Sequence, residues 1–248
     1  MPKSKLKNAP LQEVIFELRW QLDYDESGTP LDAGFDLAKG VFAYKIKNYF
    51  PVNKSLFPSN FNIRLAGIPL YQFWTDELTW PVVQLGQGIL SVNDTEKNYT
   101  WNDSFLPNIQ RSIRALQESY DVLPTISGVK LQYIDAIEFD REKISPVQFL
   151  EQNMNTVLDN RYGVLGQQQK INISQEFSIE QNSVLQLNIQ NGISGKTGNA
   201  AIIWTTSVGT DANVDFDTLA TWLEFAHNIA SETFIKMLNP SFYASFDA

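Results

Sequence analysis

His227 is the only histidine in the chain, and cysteine is absent. An imidazole general base or a Ser-His-Asp triad would therefore have to use His227. Without cysteine the chain can form no disulfide, thiolate nucleophile, iron–sulfur cluster or cysteine-ligated zinc site. Glu224 and Ser231 are close to His227 on a predicted helix, so a locally hydrogen-bonded structural histidine is the favoured interpretation and a catalytic histidine is the alternative.

Carboxylates are the remaining groups that could act as a paired acid and base. Glu13 and Glu17 share one face of a predicted strand with Arg19, while Asp135 and Glu138 lie on another predicted strand. Hydrolysis by paired carboxylates needs two such groups at a fixed separation in a cleft. The alternative is that these carboxylates form ordinary ion pairs at the strand surface.

Two short segments partly match ligand-binding loops. Residues 23–28 begin like a calcium loop, but Pro30 and Gly34 stand where that loop needs an apolar residue and a glutamate. Residues 195–197 read Gly-Lys-Thr, like the end of a phosphate-binding loop, but Gln190 replaces the required glycine. We predict an acidic turn and a hairpin tip at these places, and we expect neither a metal nor a cofactor.

Aromatic residues form the most suggestive candidate surface. Alternation places Tyr71 and Phe73 on one face of a predicted strand and Trp74 on the other. Such a cluster predicts either a sheet core or an aromatic-lined groove for a ligand or partner. The candidate binding residues from the whole chain are Glu13, Glu17, Arg19, Tyr71, Trp74, Trp101, Asp135 and His227.

The composition predicts a soluble, folded and acidic protein. The 248 residues are 43% hydrophobic, which suffices for a sizeable core. The net charge of −9 argues against nonspecific nucleic-acid binding and favours a protein partner with a basic face. The basic cluster of Lys3, Lys5 and Lys7 is predicted to be a solvated arm. Because we find neither an apolar segment of membrane-spanning length nor a signal sequence, we expect a cytoplasmic location.

The first half of the chain is predicted to contain a strand, a helix, a meander and a second helix. Period-two alternation predicts a strand over Leu11–Trp20, and an apolar stripe from Phe35 to Tyr49 predicts a helix that ends before Pro51. A second helix should begin at Asn102 or Asp103 and bury Phe105, Ile109, Ile113, Leu116 and Tyr120. The predicted strands of an antiparallel meander are Ile63–Gly67, Leu70–Trp74, Val82–Gly86 and Ile89–Val92.

After a further strand and helix, the last third of the chain is predicted to repeat the order of the middle, which is strands followed by a helix. A strand over Val129–Phe139 precedes a helix that begins at Ser145, with Pro146 at its first position and Gln148 completing a capping box. The buried side of that helix should comprise Phe149, Leu150, Met154, Val157 and Leu158. Three further strands and a long helix are predicted over Ile171–Ile179, Val184–Gln190, Ala200–Val208 and Asp217–Leu238.

These elements predict an α+β fold of antiparallel sheets packed against long helices. Because strands followed by a helix occur twice, the chain could consist of two similar sheet-plus-helix halves. We predict an N-terminal half over residues 1–143 and a C-terminal half over residues 144–248, which could also be one continuous domain.

Four stretches together resemble a known family. They are Asn8-Ala-Pro-Leu-Gln-Glu13, Tyr99-Thr-Trp-Asn-Asp-Ser-Phe105, Gly128-Val-Lys-Leu-Gln-Tyr-Ile-Asp135 and Trp222-Leu-Glu-Phe-Ala-His227. In order and spacing they resemble a sporadically distributed bacterial family of similar length whose function is uncharacterised. The resemblance spans nearly the whole chain and implies no catalytic residue. The patchy distribution of that family implies a role in phage defence or in conflict between bacteria.

The function expected from the sequence is noncatalytic binding. The chain would be an interaction protein, an accessory or regulatory component of a mobile defence or toxin–antitoxin system, with an unidentified protein partner or a second copy of itself. The alternative is a carboxylate-dependent hydrolase or nucleotide-processing enzyme that uses Glu13, Glu17, Asp135 or Glu138. A nucleic-acid binder would need a local basic face that the total charge conceals.

Overall fold

The structure is a computed structural model that describes residues 6–58, 65–95, 97, 99–158, 168–211 and 214–247. A π-helical turn, Trp101–Phe105, leads directly into the second helix. In chain order the strands and helices of the described residues are β1 Leu11–Trp20, β2 Asp23–Tyr24, β3 Pro30–Leu31, α1 Phe35–Ile46, β4 Val52–Ser55, β5 Tyr71–Trp74, β6 Val82–Gly86, β7 Ile89–Asp94, α2 Leu106–Gln117, β8 Ile126–Glu138, α3 Pro146–Asn153, β9 Asn172–Ile179, β10 Ser183–Ile193, β11 Ala200–Thr210, α4 Leu219–Met237 and α5 Pro240–Ser245.

Nine of these strands form one antiparallel sheet in the order β4-β5-β6-β7-β1-β8-β11-β10-β9, and β2 pairs with β3 separately. The predicted combination of helices with antiparallel strands is confirmed. The prediction of long helices and two similar halves finds no support. Among the described helices only α4, with 19 residues, is long. Strands from both predicted halves join the same sheet, because hydrogen bonding between strands does not depend on their order in the chain.

The backbone divides into two compact units. Unit 1 comprises residues 1–13, 132–208 and 223–248, and unit 2 comprises residues 14–131 and 209–222. The unit boundaries at residues 13 and 131 fall within β1 and β8. The division that the sequence suggests, between residues 143 and 144, stays a prediction about independent folding.

Unit 2 is built on the apolar face of β1 and the meander. Val14, Phe16, Leu18 and Trp20 are buried, as the alternation predicts. Phe16 pairs with Val92, Val92 with Val83 and Val83 with Phe73, which forms an apolar row across four strands. The helices α1 and α2 pack against this face, and the rings of Phe42 and Phe73 are 5.4 Å apart.

Asp32 connects the end of β1 to the end of α2. Its Oδ2 accepts hydrogen bonds from Trp20 Nε1 at 3.0 Å and from Tyr120 Oη at 2.6 Å. Burial, together with the neighbouring Asp32 carboxylate, raises the pKa of Tyr120. The Tyr120 hydroxyl therefore stays protonated at physiological pH and donates a hydrogen bond to Asp32.

Unit 1 has its own apolar core. The α3 helix begins with the predicted capping box, in which Ser145 Oγ accepts from Gln148 N and Gln148 Oε1 accepts from Ser145 N. Val157 is 85% exposed, contrary to the prediction, because α3 ends at Asn153 and the helical spacing does not continue that far. The buried members of this core are Phe149, Leu150, Met154, Ile171, Ile189, Ile202, Trp204, Leu238 and Phe246.

The elements that the sequence did not predict are short or lie at a chain end. They are β2 and β3, with two residues each, β4, with four residues, and α5, with six. Such short elements contain too few residues to show a period. The predicted strand Ile63–Gly67 lies partly outside the described residues. Within the described residues, no helix is long and apolar enough to cross a membrane.

Gly86 provides a test of the packing of β6. A Cβ atom at Gly86 would lie 1.9 Å from the carbonyl oxygen of Ile68, whereas a Cβ atom at Gly40 on α1 would meet nothing within 4 Å. We expect Gly86→Ala to lower the free energy of unfolding by about 1–3 kcal/mol because the backbone must move. The matched control, Gly40→Ala, should raise it by roughly 0.5–1 kcal/mol, since alanine costs less backbone entropy in a helix. Denaturant unfolding measures both, and a Gly86→Ala variant as stable as the unaltered protein would contradict this packing.

Candidate functional site

The β8 strand places polar side chains beneath α4 in unit 1. Tyr133, Asp135 and Ile137 alternate along one face of the strand, and Ile137 and Phe234 of α4 both pack against the unit 1 core. That face is therefore the covered one. Asp135 is only 4% exposed.

The neighbouring strand β11 adds further polar groups to the same face. Phe139 N donates to Ala200 O at 3.0 Å, and antiparallel counting from this pair sets Asp135 opposite Trp204 and Tyr133 opposite Thr206. Side chains that are directly opposite project to the same face. Among the described residues, Trp204 Nε1 and Thr206 Oγ1 are buried without a hydrogen-bond partner.

The β1 strand contributes Glu13 on the other side of β8. Ala136 N donates to Pro10 O at 2.9 Å, so antiparallel counting sets Glu13 opposite Tyr133. Glu13 is half-buried. The predicted candidates Glu13 and Asp135 are therefore close neighbours around Tyr133 in unit 1.

His227, on α4, contacts this group through Tyr133. Its Nδ1 and Tyr133 Oη share a hydrogen bond of 2.9 Å, and the two ring centroids are 6.3 Å apart. We name Glu13, Tyr133, Asp135, Thr206 and His227 the β8 polar cluster. The structure thus brings together three of the eight predicted site residues.

Burial determines the protonation of Asp135. Among the described residues no hydrogen bond or ion pair reaches its carboxyl group, and burial alone raises the pKa of Asp135 from 3.8 to about 8. At neutral pH the group is therefore mostly a neutral acid that can donate one hydrogen bond. Because it is buried beneath α4, a substrate could not reach it without displacement of the helix.

The remaining charged candidates form hydrogen bonds or ion pairs with neighbouring residues. Glu17 Oε1 accepts from Arg19 Nε at 2.8 Å, and Arg19 Nη1 donates to Gly67 O at 3.0 Å in unit 2. Glu138 accepts hydrogen bonds from Thr197 Oγ1 at 2.5 Å and Asn199 Nδ2 at 2.8 Å. Glu17 and Glu138 therefore fix the position of neighbouring backbone and side-chain groups.

The aromatic candidates are mainly structural. Trp74 and Trp101 are buried in unit 2, and the Trp74 ring packs edge-on against Trp80 at 5.7 Å. Tyr71 is half-buried, and Lys39 Nζ lies 5.1 Å from its ring centroid. The core alternative therefore accounts for Trp74 and Trp101, while the edge of Tyr71 stays accessible.

The two partial ligand loops are turns in the structure. Asp25 Oδ1 accepts from Ser27 N at 2.9 Å and from Thr29 N at 3.0 Å, which forms the predicted acidic turn. Residues 194–199 connect β10 to β11 as the predicted hairpin tip, where Gly198 N donates to Ser194 O. In the part of the chain that the structure describes, no group of three metal-ligating side chains is suitably placed for a metal ion.

No family model matches the chain, and no curated protein or solved structure matches it either. The resemblance drawn from the four sequence stretches is therefore an expectation, and the site must be interpreted from its own geometry.

Sequence reasoning missed Tyr133 and Thr206. The sequence shows only that Tyr133 has a hydroxyl group and lies on the same strand face as Asp135. Its contact with His227 was not predictable, because the two residues are 94 positions apart in the chain. Thr206 gave no signal, because hydroxyl residues are common in exposed and buried strands alike.

The buried Asp135 carboxyl makes stability dependent on pH. Its pKa is about 8 in the folded protein, above the ordinary aspartate value of 3.8, so the folded state holds an extra proton between those two values and loses stability as pH rises through about 8. We expect the Asp135→Asn variant to gain stability relative to the unaltered protein as pH rises from about 6 to about 9. Chemical unfolding at several pH values measures this difference.

Glu138→Gln is the matched control for this experiment. Hydrogen bonds from Thr197 and Asn199 lower the pKa of Glu138, so its contribution to stability is already complete above pH ~5 and does not change over this range. Parallel stability curves for the Asp135→Asn variant and the unaltered protein would show that Asp135 is ionised at neutral pH.

Proposed function

We propose that this protein is a noncatalytic interaction protein that binds an extended segment of another polypeptide along the edge of β9 that pairs with no strand of the described residues. The observation that carries the proposal is the exposure of this strand. β9 is eight residues long, six of its residues are exposed, and it lies at one end of the strand order. The unpaired N–H and C=O groups of an edge strand can accept another strand.

The sequence of β9 lacks the usual features that protect an edge. Strands at sheet edges are commonly short or carry lysine or proline, which prevent pairing with other chains. β4, the strand at the other end of the strand order, has four residues and contains Lys54. β9 contains neither lysine nor proline, and the turn at Gln181 and Asn182, both with positive φ, holds it in register against β10.

The side chains of β9 indicate the partner that would fit. Ile173 packs against the unit 1 core, and Phe177 follows on the same face with 44% of its surface exposed. An added strand with apolar residues at alternate positions would cover Phe177. A segment of a different protein and the same strand of a second copy both fit this description.

The carboxylates give less support to the alternative, a carboxylate-dependent hydrolase or nucleotide-processing enzyme. Asp135 is buried beneath α4, while Glu17 and Glu138 are held by hydrogen bonds to their neighbours. Paired-carboxylate hydrolysis requires two accessible groups on either side of a substrate bond.

The biological setting that we propose rests on the family resemblance. A cytoplasmic accessory or regulatory component of a mobile defence or toxin–antitoxin system would be encoded beside its effector. The identities of the neighbouring genes and of the copurifying protein test this setting independently of the β9 edge.

Lysine substitutions on β9 test the interaction. In Gln175→Lys/Phe177→Lys, two charges lie on the face where the added strand would pack, and we expect at least about a tenfold loss of partner in affinity purification from the native host. Sedimentation velocity of the purified protein checks the same variant for loss of self-association. Mass spectrometry of the copurified material measures the retained partner.

The control for this experiment is Val122→Lys. Val122 is 83% exposed in unit 2 and lies outside the strands, so this variant should retain the partner. The proposal would be wrong if the β9 variant retained as much partner as the control, or if the unaltered protein was monomeric and copurified with nothing.

A further inference from the structure

A groove of about 280 Å³ lies between α1 and α2 in unit 2. Its nine lining residues include three cations, Lys45, Arg111 and Arg114, and a single carboxylate, Glu118. The chain as a whole has a net charge of −9. The groove therefore has the opposite sign of charge to the rest of the protein.

The single carboxylate in the groove is already paired. Glu118 Oε2 lies 2.6 Å from Lys45 Nζ, and the hydrogen bond from Lys45 lowers the pKa of Glu118. The charges of Lys45 and Glu118 offset each other. The net positive charge of the groove is thus that of the two arginines.

Arg111 is held in place with most of its donors available. Its guanidinium lies 4.3 Å from the ring centroid of Tyr49, and Nη1 donates to Asn108 Oδ1 at 3.0 Å. A guanidinium has five N–H donors, so Arg111 can still donate to a ligand. Arg114 lies one helical turn later on the same face, and its positive charge also lowers the pKa of Glu118, after the larger effect of Lys45.

We propose that this groove binds a short acidic peptide segment, with Arg111 and Arg114 each donating to a carboxylate. The planar guanidinium fork matches the two oxygens of a carboxylate. Tyr49, which lines the groove and is 52% exposed, offers aromatic surface for the apolar parts of the peptide.

The net charge favours a short peptide over a nucleic acid. A polynucleotide carries charge along its whole length and would extend from the groove across an acidic surface. A short run of glutamate or aspartate can place its charges in the groove alone. The volume of the groove also suits a few side chains rather than a polymer backbone.

The experiment measures binding of a fluorescent polyglutamate peptide to the full-length protein by anisotropy. A polyglutamine peptide of the same length and an oligothymidylate of the same charge are the comparison ligands. We expect polyglutamate to bind in preference to both. The Arg111→Ala/Arg114→Ala variant should weaken its binding at least about tenfold, because two charge-assisted contacts are lost.

Two further variants separate specific contacts from net charge and from misfolding. Lys7→Ala/Lys170→Ala removes two exposed lysines outside the groove, so binding should change less than about twofold. Arg111→Lys/Arg114→Lys retains the positive charges but removes the planar guanidinium groups. This variant should bind polyglutamate more weakly than the unaltered protein does, while its melting temperature stays unchanged.

Three results would overturn the proposal: no binding of polyglutamate, an equal loss in the two alanine double variants, or tighter binding of oligothymidylate. This site is independent of the proposed function at β9. The β9 lysine variant should bind polyglutamate with unchanged affinity, so failure of one proposal is distinguishable from failure of the other.

Discussion

The alternation of β1 is the constraint on which unit 2 depends. Because successive side chains of a strand point to opposite faces, a shift of one residue would expose Phe16 and Leu18, both of which are completely buried. The register is fixed at one end by Asp32, which accepts hydrogen bonds from Trp20 and Tyr120. The positions of α1 and α2 follow, since each helix covers part of the face that β1 presents.

In unit 1, the same kind of alternation places a carboxyl group on the buried face of β8. β8 must keep Ile137 against the core, and the residue two positions earlier on that face is Asp135. A buried carboxyl group without a charged partner is more stable when neutral. The protein therefore retains a proton at this position, and the nearby polar groups of Tyr133 and Thr206 place further hydrogen-bonding capacity beneath α4 without exposing it to solvent.

The sequence predicts those features that depend on neighbouring residues. The capping box of Ser145 and Gln148, the hairpin at Gln181 and Asn182, and the helix ending before Pro51 each require only a short stretch of chain, and all are present. The single sheet was not predictable, because the position of β1 between β7 and β8 depends on pairing across the whole chain. Short elements such as β4 contain too few residues to show periodicity.

The candidate site was predictable only in part, for the same reason. The types of Glu13, Asp135 and His227 mark them as chemically capable, but the sequence does not show that they are neighbours. The register of β1 against β8 brings Glu13 close to Asp135, and the hydrogen bond between His227 and Tyr133 adds His227 from α4. Trp74 and Trp101 are of a residue type that is common at binding surfaces, yet both are buried in the core. The basic groove was hidden within the acidic total, since Lys45 and Arg111 belong to helices that are separated by the whole meander.

The two proposed surfaces would recognise their partners through different interactions. The β9 edge offers backbone hydrogen bonds, which are nearly independent of the partner's sequence and of salt. The groove offers two guanidinium groups on an acidic protein, whose attraction extends only about 8 Å at physiological ionic strength. Outside the groove, the rest of this protein, whose net charge is −9 in total, disfavours contact with further negative charge. The groove therefore selects a short acidic segment with neutral flanks, and this restriction supplies sequence specificity that an open strand edge lacks.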